Sequence, residues 1–556
     1  MKTTEQFLPS SFSTHDVFNQ APPFAGINLY ACDPALREAV EREGAGWAGA
    51  GLAELGARLG TAESLALGDL ANRHPPQLHA FDPQGRRVDN IEFHPAWHAL
   101  LGQMIAAGAH AAPWDTPRAG AQVARAAQYL LFGQVENGTQ CPVTMTYASV
   151  PALRQHPAIA ARWLPKILSR QYDPRALPVT QKTGALVGMG MTEKQGGTDV
   201  RANTTTATLV DADEGRYSIV GHKWFFSVPH ADAHLILARL DVGGPLSCFL
   251  VPRFLDDGSL NAIRIQRLKD KLGNCSNASG EVEFCGASGW MIGAPGRGIP
   301  TILEMGSHTR LDCVLGSAGI MRAALCHALH HACGRAAFGR MLADQPLMQN
   351  VLADLALESE AATVFALRLA RCFDEKDDPV KAMLGRLLTP AGKYWICKRA
   401  PGFCFEAMEV MGGNGYVEEG PLARRYREAP VNSIWEGSGN VMCLDLLRAI
   451  GKAPGAARAA LAAELAPAAA RAPALARYAD QLLLDLDTES GNEYGARALA
   501  ERVVTAVQGA LLVLHAPKVV SDAFVHSRIA MPPGGAYGRL PGGIDCAAIL
   551  ARALQP

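Results

Sequence analysis

The spacing of apolar residues changes twice along this chain, and that alternation constrains the fold more than any single motif. From about Asp33 to Val187 apolar residues recur at intervals of three and four, as in Ala121 to Phe132, with Pro and Gly at the breaks, which predicts a helical layer. From about Thr205 to Glu283 the runs become short and β-rich, as in Tyr217–Val220, His234–Leu237 and Cys248–Val251, which predicts a sheet or small barrel. After the glycine-rich turn at 293–298 the helical period returns and holds to about Ile450. An Ala-rich stretch from Ala456 to Ala476, broken by Pro467 and Pro473, then opens one more section. The expected fold is mainly α with a central β-domain. Its division is 1–182 helical, 183–295 β, 296–450 helical and 451–556 an appended helical domain.

Composition narrows the function classes. At 556 residues the chain exceeds a single core and has ample room for a large cofactor. A net charge of -1 excludes a chain-wide field toward phosphate backbones or anionic lipid. The 13 cysteines form no C-x-x-C pair, which argues against a disulfide framework and against a zinc site, so no metal is expected. The stretch Met1 to Gln20 lacks the apolar segment of a signal peptide, roughly 7–15 residues, and no run approaches the roughly 18 apolar residues of a membrane span. A cytoplasmic protein without a membrane partner is expected.

Three segments carry chemistry. In the loop 188–199, Gly pairs flank Met191, Thr192, Glu193, Lys194, Gln195, Gly196, Gly197 and Thr198, so the backbone can approach a flat ligand and offer it N–H donors. The same spacing also suits a plain tight turn, and no β-rich strand precedes it as a dinucleotide loop requires. Next comes an aromatic strand, Gly221 to Ser227, with Phe225, Phe226 and a terminal hydroxyl; such density usually means core packing. The third combines the turn Met411 to Tyr416 with Tyr426 to Pro430 and with Ile434, Trp435, Glu436, Gly437, Ser438, Gly439 and Asn440. A carboxylate between Trp435 and a Gly-Ser-Gly loop would be partly desolvated and suited to proton abstraction near neutral pH, although Glu before Gly-Ser is also common at solvated helix starts.

Together these segments resemble the acyl-CoA dehydrogenase superfamily over about 180–450, in the family's order: the T-E-x-x-x-G-S/T-D loop, a K-x-W/F-x-S/T strand, an R-x-x-F-G helix, a G-G-N-G-Y turn and an E-G-S/T loop. The resemblance implies an N-terminal helical domain, a middle β-barrel and a four-helix domain, assembled as a homotetramer with FAD between subunits. It implies that Met191, Thr192 and Thr198 hold the isoalloxazine and diphosphate. Phe225 would then lie beside the flavin ring, with Ser227 near its reactive nitrogen. Arg335, in the run Arg335 to Gly339, would contact the FAD of a neighbouring subunit. Glu436 matches the catalytic base, which takes an α-proton while the flavin accepts the β-hydride.

Three positions depart from the common pattern: Ser307 stands where the family usually has an aspartate, Trp435 where it has a smaller Tyr, and Glu409 where a glutamine is frequent. These changes bear on the substrate. The wording of the 191–205 loop and the extra C-terminal section look most like the AidB branch, associated with the response to DNA alkylation. That likeness implies a protein that keeps FAD, binds duplex DNA and protects it from, or acts on, alkylation damage. From Gly451 to Pro556 there are 10 Lys/Arg against 9 Asp/Glu, so DNA contact would rest on how arginines cluster, with Arg448 as the candidate. The alternatives are an acyl-CoA dehydrogenase with Glu436 as α-proton base, and a scaffold in which FAD only fills the core.

Overall fold

The computed structural model describes residues 14–488, 491–531 and 534–554. Four helices, Pro34–Val40, Gly49–Leu59, Ala62–Arg73 and Pro95–Ala106, and a hairpin of Gln77–Phe81 with Arg87–Glu92 lead into α1 (Ala121–Gly133) and α2 (Gln140–Leu153). Local chemistry sets the starts: Asp33 accepts from the Leu36 N–H ahead of Pro34, and Thr61 from the Ser64 N–H, satisfying donors that a helix leaves free. Both α1 and α2 are buried on almost every side, so they lie at the centre of the molecule.

Seven strands follow: β1 (Val187–Gly190), β2 (Thr206–Asp211), β3 (Arg216–Ser227), β4 (Ala233–Leu240), β5 (Leu246–Pro252), β6 (Ile263–Leu268) and β7 (Ser279–Ile292). Their order is β1-β3-β2-β4-β5-β7-β6, and a further pairing of β3 with β7 closes β3, β2, β4, β5 and β7 into a ring. The result is a small barrel, with β2 parallel to β4 through Thr206 and Arg239. Inside it Lys223 and Glu193, both fully buried, pair at 2.8 Å.

The chain then forms four long or mid-length helices: α3 (Gly298–Gly334), α4 (Pro346–Asp374), α5 (Pro379–Val410) and α6 (Gly439–Lys452). At the head of α5, Asp378 caps the Val380 and Lys381 N–H groups beside Pro379. Three more helices, α7 (Pro454–Ala469), α8 (Pro473–Thr488) and α9 (Ala496–His515), do not stand apart: α9 packs on α4 and α5, and one apolar cluster runs from Phe24 to Ala553. Helices α3 and α9 are long and apolar enough to cross a membrane by length and composition, but 89% and 67% of those windows are buried within the protein, as core helices are.

Two sets of polar bonds lock the layers. Arg125 on α1 donates through both terminal nitrogens to Asp312 on α3, each at 2.7 Å, and Thr144 on α2 donates to the same carboxylate at 2.7 Å. The Val187 N–H of β1 donates to Thr146 Oγ1 of α2 at 3.1 Å. The barrel and the helices are thereby held in one register at the site.

Candidate active site

Glu436 sits in the bend between a 3-10 turn at Ala429–Ser433 and α6. Its backbone is left-handed, φ 59, a conformation that costs roughly 1–3 kcal/mol for a residue other than glycine and persists only where the surroundings enforce it. The enforcing contacts are visible. Arg310 Nε donates to the Glu436 carbonyl at 3.1 Å, while Lys393 Nζ donates to the Gly437 carbonyl at 2.5 Å. Gly437 is also left-handed, φ 102, and a Cβ there would lie 2.5 Å from Met442 Cε, so the position requires glycine. The Glu436 carboxylate accepts from Thr309 Oγ1 at 2.7 Å. Arg310 is shared with Asp445 at 2.8 Å, and Ser307, in the place of the expected aspartate, is exposed.

Glu436 and Trp435 border a partly enclosed cavity. Along α3 the wall is Thr309, Asp312, Cys313, Gly316 and Ile320, the i, i+3, i+4 spacing of one helix face. Helix α2 contributes Gln140, Cys141, Thr144 and Met145. Glu428 lines the cavity too, with 1% of its surface exposed; burial first, and then the neighbouring Glu136 carboxylate, push its carboxyl up to about 7. Neither Glu428 nor the wall from α2 was singled out in the sequence as a ligand contact.

The loop 191–198 and the end of β3 form a second face. Phe225 is 54% exposed, and Thr192, Thr198 and Ser227 have hydroxyls with no protein partner among the described residues. The backbone N–H groups of Gly197 and Thr198 likewise donate to no protein acceptor among the described residues. A Cβ on Gly197 would come within 2.5 Å of Thr192 Oγ1, so the loop can fold this tightly only with glycine there. An exposed ring beside unspent hydroxyl and N–H donors fits a flat heteroaromatic group with a polar edge and a phosphate tail. Met191 is partly exposed there, Lys194, Gly196 and Gly197 follow on the surface, and Gln195 Nε2 donates to the Ala202 carbonyl at 3.0 Å.

Three expected ligand contacts need correction. The Glu193 side chain points into the barrel, where it takes bonds from Lys223, Thr204 and Thr205; despite burial, which opposes it, the Lys223 ammonium and these bonds hold the carboxyl down at about 2. Phe226 is fully buried against His234 and Phe284, because alternation along β3 sends it opposite to Phe225. Asn440 is exposed, and its Oδ1 is taken up by Arg497 of α9, which donates to it at 2.7 Å. Ile434 and Ser438 are exposed, Gly439 is buried against Tyr394, and Arg335 donates to the Asn19 carbonyl at 2.7 Å. Arg448 is exposed on α6. No cluster of three or more metal-binding side chains occurs among the described residues.

A helical layer, a closed sheet and a long-helix bundle bearing a carboxylate loop are the parts of an acyl-CoA dehydrogenase. Family models match in the same order: the adaptive response protein AidB N-terminal domain over 19–174, the acyl-CoA dehydrogenase middle domain over 188–286 and the C-terminal domain over 296–451. The chain belongs to the acyl-CoA dehydrogenase family, in its AidB group. It is 55% identical over 446 residues to the Escherichia coli (strain K12) protein named "Putative acyl-CoA dehydrogenase AidB", covering 80% of this chain and 82% of that one. Among solved structures, Caenorhabditis elegans ACDH-11 in complex with C11-CoA superposes with a TM-score of 0.83 at 26% identity, over 98% of this chain and 94% of that one. An acyl-CoA dehydrogenase from Bacillus anthracis complexed with FAD shares the fold, with a TM-score of 0.64 at 17% identity over 83% of this chain and 81% of that one.

Proposed function

We propose that this protein binds FAD on the Met191–Thr198 loop and the Phe225–Ser227 edge, and oxidises an acyl-CoA thioester with Glu436 as the α-proton base. The observation that carries the reading is the Glu436 carboxylate, fixed by Thr309 in an enforced left-handed bend at the border of a cavity lined by Cys141, Met145 and Trp435. Thr309, Arg310 and Lys393 orient the base; Trp435 and Met145 exclude water from the space it faces. When bound, FAD supplies the acceptor for the β-hydrogen and its electron pair. The α-proton ends on Glu436, and the thioester leaves as its α,β-unsaturated product.

Anaerobic mixing of the yellow holoprotein with a panel of acyl-CoA thioesters should bleach the oxidised flavin band. Glu436→Gln should slow bleaching by roughly 10²–10⁴-fold with flavin content unchanged. Bleaching by the variant at the wild-type rate, or by no thioester in the wild type, sinks the proposal.

A second reading, association with duplex DNA in the response to alkylation, is supported by the AidB N-terminal match and by Arg448 and Lys452, both exposed one turn apart at the end of α6. Much of the other basic charge in the C-terminal section is spent: Arg502, Lys518, Arg528 and Arg552 sit in ion pairs. A gel-shift salt series should therefore give a shallow slope, lowered by about one when Arg448→Ala removes one phosphate contact. No shift at low salt rules this reading out.

A further inference from the structure

The cavity beside Glu436 is not uniformly apolar, and its polarity lies at the end away from the base. Thr309, which holds Glu436, and Ile320 are eleven residues apart on α3, so the wall runs roughly 16 Å at 1.5 Å per residue. The opposite wall is Glu428, at the end of the helix Pro421–Glu428, then Asn432 on the following 3-10 turn, then Trp435 and Glu436, so Glu428 and the base stand at opposite ends of this segment. Between the two ends Cys141, Met145, Val431 and Trp435 supply apolar surface. Midway, Gly316 leaves the space a side chain would fill; a Cβ there would stand 3.3 Å from Asn432 Nδ2 and 3.5 Å from Gln140 Oε1.

At the far end polar atoms are left without partners. Glu428 Oε2 receives no hydrogen bond although the residue is 1% exposed, and Asn274 Oδ1, on a second lining residue 2% exposed, is also unpaired. The nearby Glu136 carboxylate cannot help, because it is saturated by Asn72, Gly138, Thr139 and Ser276. Burying such groups unpaired costs roughly 1–3 kcal/mol each, and a ligand group that bonds them recovers that.

We infer that the acyl chain this cavity takes carries a hydrogen-bonding hydroxyl or amino group at its far end, bound by Glu428 with Asn274, and that Glu428 is the residue selecting it. The inference rests on the acyl-thioester reading of Glu436. A carboxyl that keeps its proton near neutral pH can both donate to and accept from such a group, whereas a methyl terminus would leave Oε2 unpaired. Sites built to bond a substrate hydroxyl reject the analogue lacking it far more strongly than apolar pockets reject one methylene.

The test measures binding apart from oxidation. Calorimetric Kd values of the holoprotein are compared for butanoyl- to octanoyl-CoA and for the ω-hydroxy ester of each length, and flavin bleaching is followed in parallel. At the length that spans the cavity, the ω-hydroxy ester should bind at least about tenfold tighter than its alkyl counterpart. Glu428→Leu should erase or reverse that ratio, while Glu428→Gln, which still donates and accepts, keeps it within about threefold. Equal or tighter binding of the alkyl ester at every length overturns the inference in the wild type, whatever the variants do. So does an unchanged ratio in folded, flavin-loaded Glu428→Leu. A preserved binding ratio without bleaching by any ester overturns the oxidation reading and leaves the pocket assignment standing.

Discussion

At the scale of single residues, side-chain direction decides role. Thr192, Glu193 and Phe225 lie within one motif pair, yet Glu193 supports the loop from inside the barrel while Thr192 and Phe225 face outward. The motif was legible in the sequence; the inward turn of Glu193 was not, because it depends on how the loop's end at Thr204 and Thr205 and the strand bearing Lys223 close around it. The folded Glu193 carboxyl is held below its ordinary value, so it contributes stability that is complete above about pH 4.5 and lost as pH falls toward 2. Glu193→Gln should cost about 3–5 kcal/mol by leaving Lys223 buried without its counter-charge, and urea melts between pH 5 and 3 should lose part of their pH dependence. Melts of identical pH slope in wild type and variant would contradict this.

At the scale of elements, the cavity is the product of packing α1, α2 and α3. Asp312 joins all three, taking two bonds from Arg125 and one from Thr144 beneath the cavity wall. Asp312→Ala should lower unfolding free energy by about 3–5 kcal/mol in denaturant titration, since it strands a buried guanidinium; a loss under 1 kcal/mol would show that water or Tyr129 replaces the pair. Periodicity gave the helices and the β-rich run but not this junction, since Arg125 and Asp312 are 187 positions apart. Glu428 was hidden for the same reason: its neighbours Asn274 and Gln140 belong to a loop and to α2. Local motifs therefore exposed the base and the flavin loop, while the far end of the pocket emerged only from the tertiary arrangement.

At the scale of the whole molecule, the section after Gly451 behaves as part of the bundle. Arg497 of α9 bonds Asn440 beside the Glu436 loop, Arg528 pairs with Asp354 of α4, and Arg552 with Glu38 and Glu360. A chain cut after Lys452 should expose the apolar faces of α4 and α5 and fail to give a near-ultraviolet circular dichroism spectrum of native shape; a soluble, native-like fragment would refute this. Beyond α3 the turn at Ala336–Met341 puts Phe338 wholly in solvent with φ 53, an apolar side chain on strained backbone. An exposed apolar side chain on strained backbone is suited to contact with another chain, so if copies of this chain associate through it, Phe338→Asp should shift light-scattering mass toward a smaller species; an unchanged mass would contradict a contact there. Helix α3 spans roughly 55 Å and carries the cavity wall along its middle third and this hairpin just past its end. Both features therefore ride on one continuous helix, so a kink between them, as from Ala324→Pro, would swing the hairpin away from the cavity wall.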